Sequence, residues 1–227
     1  MSNRVDFDDY TDNYNQLLKE KTQFFSSSEE YFARYKVDIV RKQVQSPVGR
    51  LLEYGCGIGR NIPFLQHAFH DAVIVGSDIS RASLDIARQG NFGVKFVQED
   101  EAAESIGTFD VIFVAGVYHH IRPAQRAMVT NILLKRLAPG GLLFVFEHNP
   151  YNPVTRRIVN TCPYDKDAVL LKPSELIATL GQGGFAVERK TYCLFVPPSL
   201  PRLARLENRL GWLPLGGQYW VQARRPL

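Results

Sequence analysis

The stretch LLEYGCGIGRNIPFL, residues 51–65, sets Glu53, Gly55, Gly57 and Gly59 at every second position between an apolar run and a helical stretch. A glycine turn leading from a strand into a helix lets a ligand approach the backbone, and the helix start offers unpaired N–H groups. A dinucleotide fingerprint, G-x-G-x-x-G counted from Gly55, needs a third glycine where this chain has Arg60. An acid two residues before the first glycine suits a ligand carrying an ammonium or sulfonium and is unfavourable beside a pyrophosphate. Asp78 closes the second apolar run and is placed to accept both hydroxyls of a ribose. Asp100, after the third run, is placed to accept from an adenine amino group.

The elements that must hold these residues alternate in one rhythm. Near-continuous Val, Ile, Leu and Phe runs at Arg50–Tyr54, Val73–Asp78, Val94–Val97, Phe109–Ala115 and Leu142–Glu147 predict strands buried on both faces. Helices are expected over Asn61–Phe69, over Arg81–Gln89 behind a Ser80 cap, and over Pro123–Leu137, the last ending at the turn Pro139-Gly140-Gly141. Repeated βα units imply a parallel sheet with right-handed crossovers. Pro173 opens a further helix to about Leu180, and after Gly183-Gly184 come strands around Phe185–Tyr192 and Gln218–Ala223. The first 47 residues, with Tyr10, Tyr14, Leu17, Leu18, Phe24, Phe25, Tyr31, Phe32 and Tyr35 set among charges, read as a helical cap. A single domain over 1–227 is expected, with a core at 48–192, an insertion at 193–216 and a final strand at 217–227.

Composition excludes several classes. No run approaches the ~20 apolar residues of a membrane span, and the opening MSNRVDFDDYTDNYN is acidic and polar, so a cytoplasmic location is expected. Cys56, Cys162 and Cys193 are far apart and odd in number, which predicts reduced thiols, no disulfide framework and no metal. The net charge of +4 is local: Arg202, Arg205, Arg209, Arg224 and Arg225 face one acid, Glu207, beyond Cys193. Leu203, Leu206 and Leu210 repeat beside the arginines of residues 200–212, a pattern for a surface helix, a lid over an acidic or lipid-linked acceptor, or a weak membrane-surface contact.

With FDVIFVAGVYHHI and LKRLAPGGLLFVFE downstream, the glycine loop and its acids resemble the class I S-adenosylmethionine-dependent methyltransferases over roughly Val48 to Val187. The resemblance implies an α/β fold of three layers, Rossmann-like, whose seven-stranded, mostly parallel sheet has the order 3-2-1-4-5-7-6 and an antiparallel seventh strand. It also implies S-adenosyl-L-methionine as cofactor. Glu53, Gly55, Gly57 and Gly59 would line its methionine end, Asp78 would hold its ribose, Asp100 would lie near its adenine and Ala115 at the edge beside the fourth strand, with Cys56, Ile79 and Glu101 as further cofactor contacts. A nicotinamide-dependent oxidoreductase and a cofactor-binding protein without catalysis are the competing readings.

Methyl transfer from a sulfonium needs an acceptor held in line, water kept out and, for a hydroxyl, a proton removed. His119, Glu147 and His148, at the ends of the fourth and fifth strands, are the candidate bases, in that order. Tyr14, Tyr118, His120, Asn149, Asn152 and Tyr164 are candidate contacts for a small-molecule or lipid-linked acceptor. The segment EHNPYNPVTRRIVNTCPYD reads as a polar loop whose prolines forbid a regular helix. Asn149-Pro150-Tyr151 is similar to the N-P-P-Y signature of amino methyltransferases, but it lacks the second proline and follows the fifth strand, not the fourth. Nucleic acid is therefore not an expected partner.

Overall fold

The computed structural model describes residues 29–99, 106–196, 207 and 209–227. Tyr14, the cap residues before Glu29, Asp100, Glu101, and Arg202, Leu203, Arg205 and Leu206 of the basic stripe lie outside the described residues, and no acceptor role is carried forward from them. The elements in chain order are α1 (Glu29–Gln43), β1 (Arg50–Tyr54), α2 (Ile62–Ala68), β2 (Val73–Asp78), α3 (Arg81–Gly90), β3 (Lys95–Gln98), β4 (Phe109–Ala115), α4 (Pro123–Arg136), β5 (Leu137–His148), α5 (Pro153–Thr161), α6 (Pro173–Gln182), β6 (Ala186–Cys193) and β7 (Gln218–Arg224). Short 3₁₀ turns follow β4 (Tyr118–His120) and α5 (Pro163–Asp165).

The seven strands lie in the order β3-β2-β1-β4-β5-β7-β6, as the resemblance implies. The pairs from β3 through β5 are parallel, and β7 runs antiparallel to both β5 and β6. Strand alternation explains the apolar runs. Leu52, Ile112, Val114, Leu143 and Val145 face Leu133, Leu176 and Leu180 of α4 and α6. Their neighbours Leu51, Val111, Phe113, Phe144 and Phe146 face Val37, Val40, Ile62, Leu65 and Leu84 of α1, α2 and α3. Ser80 caps α3 as expected, accepting from the Ser83 amide.

Two local expectations are corrected. Pro139-Gly140-Gly141 is not a turn between helix and strand. β5 begins at Leu137, which pairs with Phe109; Leu142 then pairs with Val111, so the intervening residues bulge within the ladder. Gly140, at φ +76°, lets the bulge form, and reciprocal backbone bonds with Arg225 close it. The prolines after β5 do not forbid a helix either. Pro153 occupies the first turn of α5, where its missing N–H costs nothing, and Asn152 caps that helix by accepting from the Val154 and Thr155 amides.

Asn149, expected to contact the acceptor, is fully buried and structural. Its amide nitrogen donates to the carbonyls of Pro214 and Gly216, and its oxygen accepts from the Tyr151 amide. It therefore ties the end of β5 to the segment entering β7. Replacing Asn149 with Ala strands two carbonyls and one amide, so the variant is expected to lose about 2–4 kcal/mol in urea unfolding. A loss below roughly 0.5 kcal/mol would contradict the structural role.

Candidate active site

The carboxyl ends of β1, β2, β4 and β5 open into a cavity of about 690 Å³. This is within the usual size of small-molecule sites, roughly 300–1,000 Å³. Its floor is the loop from Gly55 to Asn61, and its walls come from the turns after β4 and β5, from α1, and from Leu194, Phe195 and Leu215 of the insertion. The insertion is pinned to the α1 side: the Tyr35 hydroxyl donates to Glu207 Oε2 at 2.6 Å, while Glu207 Oε1 accepts from the Phe195 and Val196 amides.

Within the floor, Asp78 ties two loops together. Its Oδ2 accepts from the Gly57 amide at 2.7 Å and its Oδ1 from the Ser80 amide at 2.9 Å. Burial pushes the Asp78 carboxyl up, and the amides of Ser80, Gly57 and Ile79 oppose the rise. Each oxygen keeps a lone pair for another donor. Gly55, Cys56, Gly57, Asp78, Ile79 and Ala115 all border the cavity.

Gly57 and Gly59 differ in what they do. Both have positive φ, +51° and +79°. A Cβ on Gly57 would meet nothing within 4 Å, whereas one on Gly59 would stand 2.6 Å from Asn91 Nδ2 and 3.2 Å from the Ala87 Cβ of α3. Gly59 does not border the cavity. It lets the loop pack on α3 and lies behind the cavity lining, where the sequence expectation had it face the ligand.

Glu53 lies beneath the floor, 1% exposed. Asn61 Nδ2 donates to its Oε1 at 2.6 Å, and its buried Oε2 has no hydrogen-bond partner among the described residues. Burial pushes its carboxyl up to about 8, against the pull of Asn61 and the charge of Lys36. Lys36 borders the cavity from α1, and burial lowers its own pKa. Sequence reasoning missed it, although the signal was present. Ala33, Val37 and Val40 form the buried stripe of α1, and position 36 falls on the same stripe at i+3 from Ala33. Glu99, beside the undescribed Asp100, also borders the cavity and pairs with Arg136 at 2.6 Å.

The far end of the cavity is lined with imidazoles. His119 is buried; its Nδ1 lies 2.6 Å from Glu147 Oε2 and its Nε2 3.7 Å from Asp165 Oδ1. His120 Nε2 stands 3.4 Å from the same Asp165 oxygen. The rings of His119 and His148 are 5.0 Å apart, and Tyr164 meets His120 edge-on. Burial works against a charge on His119, but Glu147 and Asp165 hold its imidazole up to about 9. Burial and the neighbouring His119 push His120 down to about 2 and His148 to about 4.

The structure separates the remaining candidates. Glu147 does not border the cavity: Oε1 accepts from the Val117 and Tyr118 amides and Oε2 meets His119, so its role is to orient that imidazole. Tyr118 is fully buried in the core with its hydroxyl on Thr130, away from any acceptor. Asn152 borders the cavity while capping α5 and donating to the Leu215 carbonyl. Asp165, the last residue of the polar segment EHNPYNPVTRRIVNTCPYD, joins the cluster through the 3₁₀ turn after α5.

A sequence model of the methyltransferase domain matches residues 52–143. A methyltransferase of Archaeoglobus fulgidus described as S-adenosylmethionine-dependent superposes at a TM-score of 0.68 and 16% identity over 93% of this chain and all of that one. Residues 52–143 thus resemble a methyltransferase domain, and the chain has the fold of S-adenosylmethionine-dependent methyltransferases. A Thermotoga maritima structure, described as a possible histamine N-methyltransferase, superposes at 0.67 and 18% identity over 96% of this chain and 98% of its own. Among sequence relatives, the ubiquinone biosynthesis O-methyltransferase of Rhizobium etli is 28% identical over 168 residues, covering 66% of this chain and 65% of that protein. A trans-aconitate 2-methyltransferase of Acidovorax is 35% identical over 106 residues, covering 45% and 40%. The match thus spans less than two thirds of either relative's length.

The residues present fit the family's cofactor. The open face of Gly57, the Glu53 Oε2 without a partner among the described residues and the adjoining Asp78 carboxylate offer the space and the hydrogen-bond acceptors that a nucleoside with a cationic amino-acid arm requires. Gly57→Ala and Gly59→Ala both carry the strain of a left-handed backbone, roughly 1–2 kcal/mol. Only Gly59→Ala also displaces Asn91 and Ala87, so urea unfolding should show it less stable than Gly57→Ala by a further ~1–3 kcal/mol. Equal losses would contradict the packing role of Gly59.

Proposed function

We propose that this chain transfers a methyl group from S-adenosylmethionine to an oxygen of a small-molecule acceptor held at the imidazole-lined end of the cavity. The observation that carries the reading is one continuous cavity bordered at one end by the glycine loop and Asp78, and at the other by His119, His120, His148, Tyr164 and Asp165. A protein that only bound the nucleoside would need no polar wall beyond the loop. Arg60 in place of a third glycine, and the acid Glu53 beneath the loop, disfavour a dinucleotide.

When bound, the cofactor supplies an electrophilic methyl on a sulfonium. The chain's own groups divide the remaining work. Asp78 would accept from the ribose hydroxyls, Lys36 on the cavity wall would face the carboxylate of the amino-acid arm, and Glu53 Oε2, beneath the floor, would be left to accept from its ammonium. Phe32, Val154, Ile158 and Phe195 line the walls and keep water out. His148 borders the cavity, has no ion pair among the described residues, and takes the acceptor's proton on an imidazole nitrogen. His119, clamped by Glu147, holds the cluster's orientation. Oxygen as the receiving atom is supported by the R. etli relative, named an O-methyltransferase.

The test is a transfer assay with methyl-labelled cofactor against a panel of hydroxylated and carboxylated metabolites, with calorimetry for S-adenosylhomocysteine and NAD alongside. Label in a small molecule, and binding of S-adenosylhomocysteine but not NAD, are expected. For a hydroxyl acceptor, His148→Gln should lower turnover about 10²- to 10⁴-fold with cofactor affinity unchanged. Binding of NAD alone, or parent-like turnover in that variant, would contradict the proposal.

A further inference from the structure

We infer that His119, His120 and Asp165 form a site for one divalent first-row transition ion, with its open coordination positions turned toward the acceptor end of the cavity. The three side chains each offer one ligand atom, and these atoms lie within 4.8 Å of one another. His119 Nε2 and His120 Nε2 stand 3.7 and 3.4 Å from the same carboxylate oxygen. Those separations are longer than a good hydrogen bond. They match neighbours around a single ion: with bonds of about 2.0–2.1 Å to nitrogen and oxygen, two ligands at a tetrahedral angle stand about 3.4 Å apart.

The surroundings support the same reading. Glu147 Oε2 lies 2.6 Å from His119 Nδ1, so the imidazole is fixed with its Nε2 turned to Asp165. A carboxylate behind a histidine in this way is the usual support of a metal-bound imidazole, setting both tautomer and ring orientation. Two imidazoles and one carboxylate suit zinc, cobalt(II), iron(II) or manganese(II) rather than calcium or magnesium, which favour all-oxygen surroundings. All three ligand residues border the cavity, so coordination positions not filled by protein face the acceptor. An acceptor oxygen bound there would be polarised and made more acidic. That role rests on the methyl-transfer reading; the ion site itself does not.

The test uses full-length protein stripped with EDTA, titrated with Zn²⁺ by calorimetry and with Co²⁺ by visible absorption. His119 is buried against Glu147, so the informative variants are His120→Asn and Asp165→Asn, each checked by thermal melting against the parent. One ion per chain is expected, with ligand-field bands for cobalt and an affinity weakened roughly tenfold or more in each variant. S-adenosylhomocysteine should bind all three proteins alike. No stoichiometric binding by the parent, or parent-like affinity in both folded variants, would overturn the site. Ion binding as expected without any S-adenosylhomocysteine binding would support the site and overturn the methyl-transfer reading.

Discussion

The carboxylate of Asp78 fastens together the turns after β1 and β2, extending the backbone bonds that the Gly55 and Cys56 amides donate to the Ser77 carbonyl. One oxygen holds the Gly57 amide and the other the Ser80 amide, so the turn after β1 and the turn after β2 are fixed to one group. The parallel pairing of β1 with β2 brings both turns to the same end of the sheet. The glycine loop then takes its shape from this contact together with the packing of Gly59 on α3. Remove the carboxylate and two amides lose their partner while the cavity floor loses its anchor. The cofactor end of the site is thus a consequence of strand register followed by one acid.

The second organising feature is buried charge at the opposite end. Placing ionisable groups out of water is costly unless they are paired, and this chain pairs them across elements. Glu147 at the end of β5 receives two backbone amides and the His119 imidazole, all from the turn after β4. Asp165 reaches the same imidazole from beyond α5. The result is a cross-linked polar wall at the carboxyl ends of strands whose buried residues are mostly apolar. Rigidity there suits a reaction whose main demand is position.

Most of the sheet was legible because its strands are buried on both faces and therefore read as unbroken apolar runs, punctuated by glycine. The helix at Pro153 was not, since the same proline that breaks a helix interior fits its first turn, and only the Asn152 cap distinguishes the two cases. The bulge at Gly140 was hidden for a similar reason: Pro-Gly-Gly reads as a turn, and only pairing with Phe109 and Arg225 makes it part of a strand. In the site, Gly57 and Asp78 were legible from spacing. Gly59 follows the same spacing yet faces α3, because alternation in a loop does not fix direction. Lys36 and Asp165 meet the cavity through tertiary packing, from α1 and from the turn after α5; the stripe of α1 marks position 36 as inward, but no local pattern joins either residue to the glycine loop or the histidines.

The central claim is that one cavity carries the cofactor on the glycine loop and presents the reacting sulfur to the His119, His120, His148 and Asp165 wall. A crystal structure of the complex with S-adenosylhomocysteine measures this directly. The account predicts the ribose hydroxyls on Asp78, the amino-acid arm toward Glu53 and Lys36, and the sulfur facing the imidazoles across a space open to an acceptor. A sulfur turned away from that wall, or a ligand seated elsewhere on the protein, would contradict it.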